Sequence, residues 1–286
     1  GAVHLVYFQG EAGGGDLFYV RSGDEGRTWS APVRVNSQPG SAVAAGTIRG
    51  AHLALGRGGR VHVAWNGSGT ALPKGPLNPE APPNAAHSGM PMLYARSRVD
   101  GKGFEPQRNL MQRTFGLDGG GSVAADAAGH VYVAWHGKAE GAAKGEAGRR
   151  VWLARSDDDG TNFTAEAAID NPPAGACGCC GLRVWAGPRE AVYVLYRSAE
   201  QEVHRDIHLL VSRDAGRSFR GSLVDRWDIN GCPMSSLAFV AGGGQVVGAW
   251  ETAGQVYFGS LDPTVGKPAA APGQARGRKH PVVARN

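Results

Sequence analysis

Charge is sparse in this sequence. Asp, Glu, Lys and Arg make up 19% of its 286 residues, against 42% hydrophobic, a balance that supports a buried core and excludes wholesale disorder. No stretch approaches the roughly 20 consecutive apolar residues of a membrane-spanning helix, so no transmembrane segment is expected. No Lys/Arg run is interleaved with aromatics, so the net charge of +5 and pI near 9.2 point to anionic small ligands rather than nucleic acid. The densest basic stretch, Arg276, Arg278, Lys279 and His280, reads as a solvated linker. Neither an initiating Met nor a basic-then-apolar leader precedes Gly1, and a processed or partial chain is the expectation. The 45 glycines lack a collagen period. They fall with 17 prolines between short β-branched and aromatic runs, the pattern of many strands joined by many turns.

Those runs repeat. A strand ending in an aromatic occurs at 3–7 (VHLVY), 61–65 (VHVAW), 131–135 (VYVAW), 192–196 (VYVLY) and 246–250 (VVGAW), at intervals of 58, 70, 61 and 54 residues. Each later copy follows an apolar-small run with a glycine turn, as at 51–60, 122–130 and 182–190. A third strand follows every copy: 17–22, 92–97, 151–156, 207–212 and 256–260. Three of these run into one turn, Ser22 to Trp29 (SGDEGRTW), Ser156 to Phe163 (SDDDGTNF) and Ser212 to Phe219 (SRDAGRSF). Ser97 to Phe104 is a degenerate copy with Val99 in place of Asp, and another keeps only Ser260 and Asp262. Ser and Asp side chains bond turn N–H groups, Gly takes the positive φ, and the closing aromatic is expected to pack onto the sheet. A short fourth strand follows, as at 32–36. Four antiparallel strands per 50–70 residues mean an all-β fold, a β-propeller, spanning residues 1–286 as one domain.

The S-x-D-x-G turn with its closing aromatic is the Asp-box, or BNR repeat, and the chain resembles the sialidase-like propellers over nearly its whole length. The segment 280–286 (HPVVARN) reads as a first strand and residues 2–7 as a second. The five visible blades therefore either close by pairing those segments or belong to a six-bladed parent, as the resemblance implies.

In such propellers the ligand rim lies opposite the turns, where first strands begin and second strands end. That places Arg49, Asp118, Cys179, Cys180, Cys232, Met234, Lys279 and His280 around the mouth, with Asn66, His136, Arg197 and Glu251 beside them. The long connections 66–89, 136–150 and 198–205 share this rim. The resemblance implies glycoside hydrolysis of sialylated or related glycans, with arginines clamping a carboxylate and a Tyr nucleophile. Arg49, Arg197 and Arg205 would form the clamp, Asp118 the acid/base and Glu251 the activating carboxylate, with His136 in the substrate site. The Arg-Ile-Pro motif of the family is reduced to Ile48-Arg49-Gly50, and Tyr196 reads as core rather than nucleophile. The resemblance also implies an extracytoplasmic protein, expected to be a monomer.

Two alternatives stand beside hydrolysis. Cys177, Cys179 and Cys180 form a C-x-C-C cluster, and repeat alignment brings Cys232 opposite it. This spacing matches no standard zinc pattern. It suits a Cys177 or Cys179 to Cys232 disulfide, or a soft-metal site for copper(I) or zinc; otherwise no cofactor is expected. A non-catalytic propeller binding glycan or protein is the other alternative, with Trp227 as the aromatic available for stacking.

Overall fold

β-branched and aromatic runs closed by glycine turns form antiparallel hairpins because alternate side chains bury on one face while turn residues supply the reversal. In the computed structural model they do so from Val3 to Ala270 among the described residues. The structure describes residues 1–286 apart from 45, 47, 80, 81, 83, 84, 86, 87, 243, 244, 262–266, 274–276, 285 and 286. Asp262, Arg276 and part of the 66–89 connection therefore lie outside the described residues.

Among the described residues five sheets follow one another. The first holds β1 (Val3–Glu11), β2 (Gly14–Ser22) and β3 (Val33–Arg34). The second holds β4 (Ala51–Leu55), β5 (Val61–Asn66), β6 (Met92–Arg96) and β7 (Arg108–Asn109). The third holds β8 (Thr114–Phe115), β9 (Ser122–Ala125), β10 (Val131–Ala139), β11 (Arg150–Ser156) and β12 (Ala167–Ala168). The fourth holds β13 (Arg183–Ala186), β14 (Val192–Arg197), β15 (Ile207–Ser212) and β16 (Arg220–Asp225). The fifth holds β17 (Ala238–Gly242), β18 (Gln245–Thr252), β19 (Gln255–Ser260) and β20 (Ala269–Ala270). Strands pair antiparallel in chain order, except that β8 joins the far end of β10 through Lys138 opposite Phe115. That extra pairing carries β10 past Trp135, where the repeat alone ends the strand. The innermost strands β4, β9, β13 and β17 pack side by side around a cavity of about 730 Å³. The fold is a β-propeller.

The repeated aromatics Trp65, Trp135, Tyr196 and Trp250 are all buried. Two of the three indoles find acceptors that offset lost water, Trp135 Nε1 on Thr114 Oγ1 at 3.1 Å and Trp250 Nε1 on Asp225 Oδ2 at 2.8 Å, while Trp65 Nε1 is buried without one. The three Ser-x-Asp-x-Gly turns share one geometry. In the second, Gly160 N–H donates to Ser156 Oγ at 2.9 Å, and Asp158 accepts from Ser156 Oγ at 2.8 Å and Asn162 N–H at 2.8 Å. Bonds from Thr28 above all hold Asp24 down to about 2. At Asp158 burial is the largest single influence and pushes upward, but the bonds from Asn162, Ser156 and Thr161 together outweigh it and hold that carboxyl at about 2 as well.

Three closing aromatics pack on the preceding sheet: Phe104 edge-on to Tyr19 at 5.7 Å, Phe163 edge-on to Tyr94 at 4.9 Å, and Phe219 against the core between the third and fourth sheets. Trp29 departs from the expected packing and is 43% exposed, because it closes the first sheet and has no preceding one. The terminal segment also departs from expectation. His280 takes φ 56°, and Pro281, Val282 and Val283 then line the axial cavity outside any strand. Pro281 has no N–H to give a ladder, and β1 keeps one edge without a strand partner among the described residues.

Candidate functional site

Four loops lead into the innermost strands and meet at one end of the axis. Their contact depends on missing side chains. A Cβ at Gly120 would overlap the carbonyl oxygen of Ile48, and one at Gly119 would overlap those of Gly178 and Cys180. Gly181 N–H donates to Ser235 O at 3.0 Å, and Lys279 Nζ reaches Pro233 O. Residues 48–50, 118–121, 177–181 and 232–236 thus form one continuous mouth.

A pocket of about 410 Å³ opens there, lined by Val43, Arg49, Met90, Leu117, Asp118 and Arg149 among others. Arg49 Nε donates to Asp118 O at 2.6 Å, and its NH2 pairs with the Asp118 carboxylate. Each side chain of that pair stays about one third exposed, at 34% and 37%. Arg149 arrives from the connection between β10 and β11. Its NH1 bonds Gly116 O, while its Nε is buried without a hydrogen-bond partner. Burial pulls the Arg149 guanidinium below its usual range, and Asp118 and Glu146 oppose that shift. Among the described residues, two guanidiniums and one carboxylate therefore face this cavity.

His136 stands behind them and does not reach the pocket. It is wholly buried, neither ring nitrogen has a partner, and burial together with the charge of Arg149 pushes it down to about 3. It is a neutral packing group, which corrects its placement in the substrate site.

The expected clamp also divides. Arg197 is 1% exposed. Its NH1 donates to Arg205 O at 2.6 Å, its NH2 to Glu251 O, and the Trp227 ring covers it at 5.1 Å. Glu251 is fully buried; its Oε1 accepts Gly254 N–H at 2.7 Å and its Oε2 lies 3.6 Å from Arg197. Arg205 is 6% exposed and pairs with Glu146, whose other oxygen takes Gly178 N–H at 2.8 Å. Arg197, Arg205, Trp227 and Glu251 thus knit the fourth sheet to the fifth and to the cysteine loop. None of the four lines the pocket of Arg49, Asp118 and Arg149, so the structure does not bring the residues expected to clamp, activate and stack together with Arg49 and Asp118. Arg149 and Glu146 went unnoticed in the sequence, where their one signal was the length of the 136–150 connection.

The cysteines do meet. Cys179 and Cys232 form a disulfide, and Cys177 and Cys180 are buried free thiols. Cys177 Sγ lies 3.3 Å from Cys179 Sγ and donates to Cys180 Sγ at 3.2 Å. That bond holds the Cys180 thiol below the ordinary range, helped by the charge of Arg197, and the Cys177 thiol above it, helped by burial.

Sheets, turns and axial mouth together define a sialidase-like propeller. No family model and no curated protein matches the sequence. Solved structures do. The NanB sialidase from Streptococcus pneumoniae superposes with a TM-score of 0.55 at 11% identity, over 94% of this chain and 58% of that one. The alpha-L-arabinanase from Penicillium chrysogenum, complexed with arabinobiose, gives 0.58 at 14% over 97% and 79%. The Trypanosoma rangeli sialidase, complexed with the inhibitor DANA, gives 0.56 at 13% over 92% and 45%. This chain thus spans less than two thirds of either sialidase. At these identities the likeness is one of fold.

Proposed function

We propose that this protein binds and hydrolyses anionic glycans, sialylated or related ones, in the pocket of Arg49, Asp118 and Arg149. One observation carries the reading: the described wall of a 410 Å³ cavity at the axial mouth brings the Arg49 and Arg149 guanidiniums together with the Asp118 carboxylate. A guanidinium fork matches a planar carboxylate, each such charged hydrogen bond contributing about 1.5–3 kcal/mol. A sugar carboxylate arriving on Arg49 would compete with Asp118 for that partner. Asp118, released from that partner, would then face the glycosidic oxygen as its proton donor. An extracytoplasmic location belongs to the same proposal, since a disulfide such as Cys179–Cys232 persists in oxidising surroundings.

Turnover of a fluorogenic sialoside and calorimetric binding of the free acid sugar test it together. Asp118→Asn should lower kcat by roughly 10²-fold or more while binding persists. A second reading, glycan binding without hydrolysis, is favoured by the burial of Glu251, which leaves Asp118 as the one carboxylate on the described pocket wall. Binding with no turnover selects that reading; neither binding nor turnover by folded protein rejects both.

A further inference from the structure

The glycan pocket leaves the sulfur cluster unused. Cys177, Cys179 and Cys232 bring their three Sγ atoms within 4.8 Å of one another, and Cys180 Sγ lies 3.2 Å from Cys177. Four sulfurs from two adjacent loops rarely converge by packing alone, and a single disulfide needs two of them.

Three features of the surroundings bear on what the cluster holds. The Arg149 guanidinium lies against Gly178 inside the cysteine loop, so it offsets part of the negative charge that several thiolates would accumulate. The loop is fixed from outside by Glu146, which takes Gly178 N–H, and by Cys177 N–H donating to Arg197 O at 3.0 Å. These are contacts of the kind that orient metal ligands from the outer shell. Burial is graded: Cys177 is buried, Cys179 intermediate and Cys232 exposed, which gives solvent, a reductant and an ion one path inward.

We infer that Cys177, Cys179 and Cys232, once the Cys179–Cys232 bond is reduced, form a trithiolate site for one soft cation, copper(I) being the best match. The donor set is sulfur only, which selects thiophilic ions, and three close sulfurs fit a copper(I) ion without the four ligands of a structural zinc site. The site adjoins the glycan pocket at the same mouth, but none of its three sulfurs lines that pocket, and it is independent of the hydrolytic reading.

The chemistry balances with a dithiol reductant. One thiolate of the dithiol attacks the exposed Cys232 Sγ, the Cys179–Cys232 bond breaks, and Cys179 leaves as a thiolate that takes a proton. The second thiol of the reductant resolves the mixed disulfide. The reductant departs as its cyclic disulfide and the protein keeps two new thiols. Binding copper(I) to the three thiols then releases three protons to solvent.

The test uses the full chain, reduced with dithiothreitol, freed of it without oxygen, and titrated with copper(I) against a coloured chelator. One equivalent withheld from the chelator is expected, with oxidised protein holding copper at least tenfold more weakly. Cys177→Ser and Cys232→Ser should each weaken retention by roughly 100-fold, and sulfur-only coordination should appear in the copper X-ray absorption spectrum. Reduced, folded protein that withholds no copper overturns the inference, as do serine variants that retain it like the parent. If reduction unfolds the chain, copper(I) must restore its β-sheet circular dichroism, and failure to do so is equally contrary. Retention of zinc(II) in preference to copper(I) would overturn the assignment of the ion.

Discussion

Two arginines of the same rim show how far identity alone falls short of role. Arg49 keeps a third of its side chain in solvent and pairs with Asp118, while Arg197 lies under Trp227 with its donors on carbonyls and Glu251. Breaking a buried charge pair from one side costs ~3–5 kcal/mol, because the remaining charge is stranded; an exposed pair is worth about 0–1 kcal/mol. Arg197→Ala should therefore lower the melting temperature sharply. Arg49→Ala should leave it nearly unchanged and abolish binding of an anionic sugar. Thermal melts and calorimetry on the same two variants check both statements. Both residues sit at strand ends on one rim, which the repeat reveals. Which one faces the ligand depends on a tryptophan from another loop, and no local pattern carries that. Arg149 and Glu146 were illegible for the same reason, standing in a connection that has no counterpart in the other units.

At the scale of elements, the sequence was far more readable. The hairpins and Ser-x-Asp-x-Gly turns follow from alternation and turn chemistry within ten residues of chain, and the structure builds them where the pattern stands. What local pattern could not give was β8, whose partner is the far end of β10, or the exposure of Trp29, which depends on what lies beside the first sheet. The turns also predict a cost. Asp158 accepts from Ser156, Asn162 N–H and Asn162 Nδ2, so Asp158→Ala should destabilise by roughly 1–2 kcal/mol. Since its carboxyl is held down to about 2, its contribution is present above pH 4 and lost as pH falls through 2. Urea denaturation at pH 7 and pH 2 should show a gap between parent and variant that closes at the lower pH. At the mouth, Gly119→Ala must push the 118–121 loop off Gly178 and Cys180, so loss of ligand binding together with a lowered melting temperature is expected from that single methyl.

For the whole molecule, buried titratable groups set the pH range of stability. His62 is pushed down to about 4 and His136 to about 3, burial being the larger cause in each, with nearby arginines adding to it. Both fold neutral, while the unfolded chain binds protons below about 6.5, so stability from these groups is lost as pH falls from 6.5 toward 4. Asp170 acts oppositely. Burial raises it to about 6 despite Arg150, so it favours the folded state at low pH and that contribution is lost as pH rises from 4 through 6. The two histidine shifts together exceed that of Asp170, and the melting temperature should drop between pH 6.5 and 4. A melting temperature that instead rises over this interval would mean the histidines are solvated.

The account rests on a carboxylate-binding pocket at the axial mouth with Asp118 as its acid, and turnover of a fluorogenic sialoside by the purified protein, alongside Asp118→Asn and Arg149→Ala, tests it most directly. The account predicts release of the fluorophore by the parent, its loss in Asp118→Asn, and a raised KM in Arg149→Ala, all three proteins melting within a few degrees of one another. Turnover that survives Asp118→Asn, or folded parent protein that neither turns over nor binds the sugar, would contradict it.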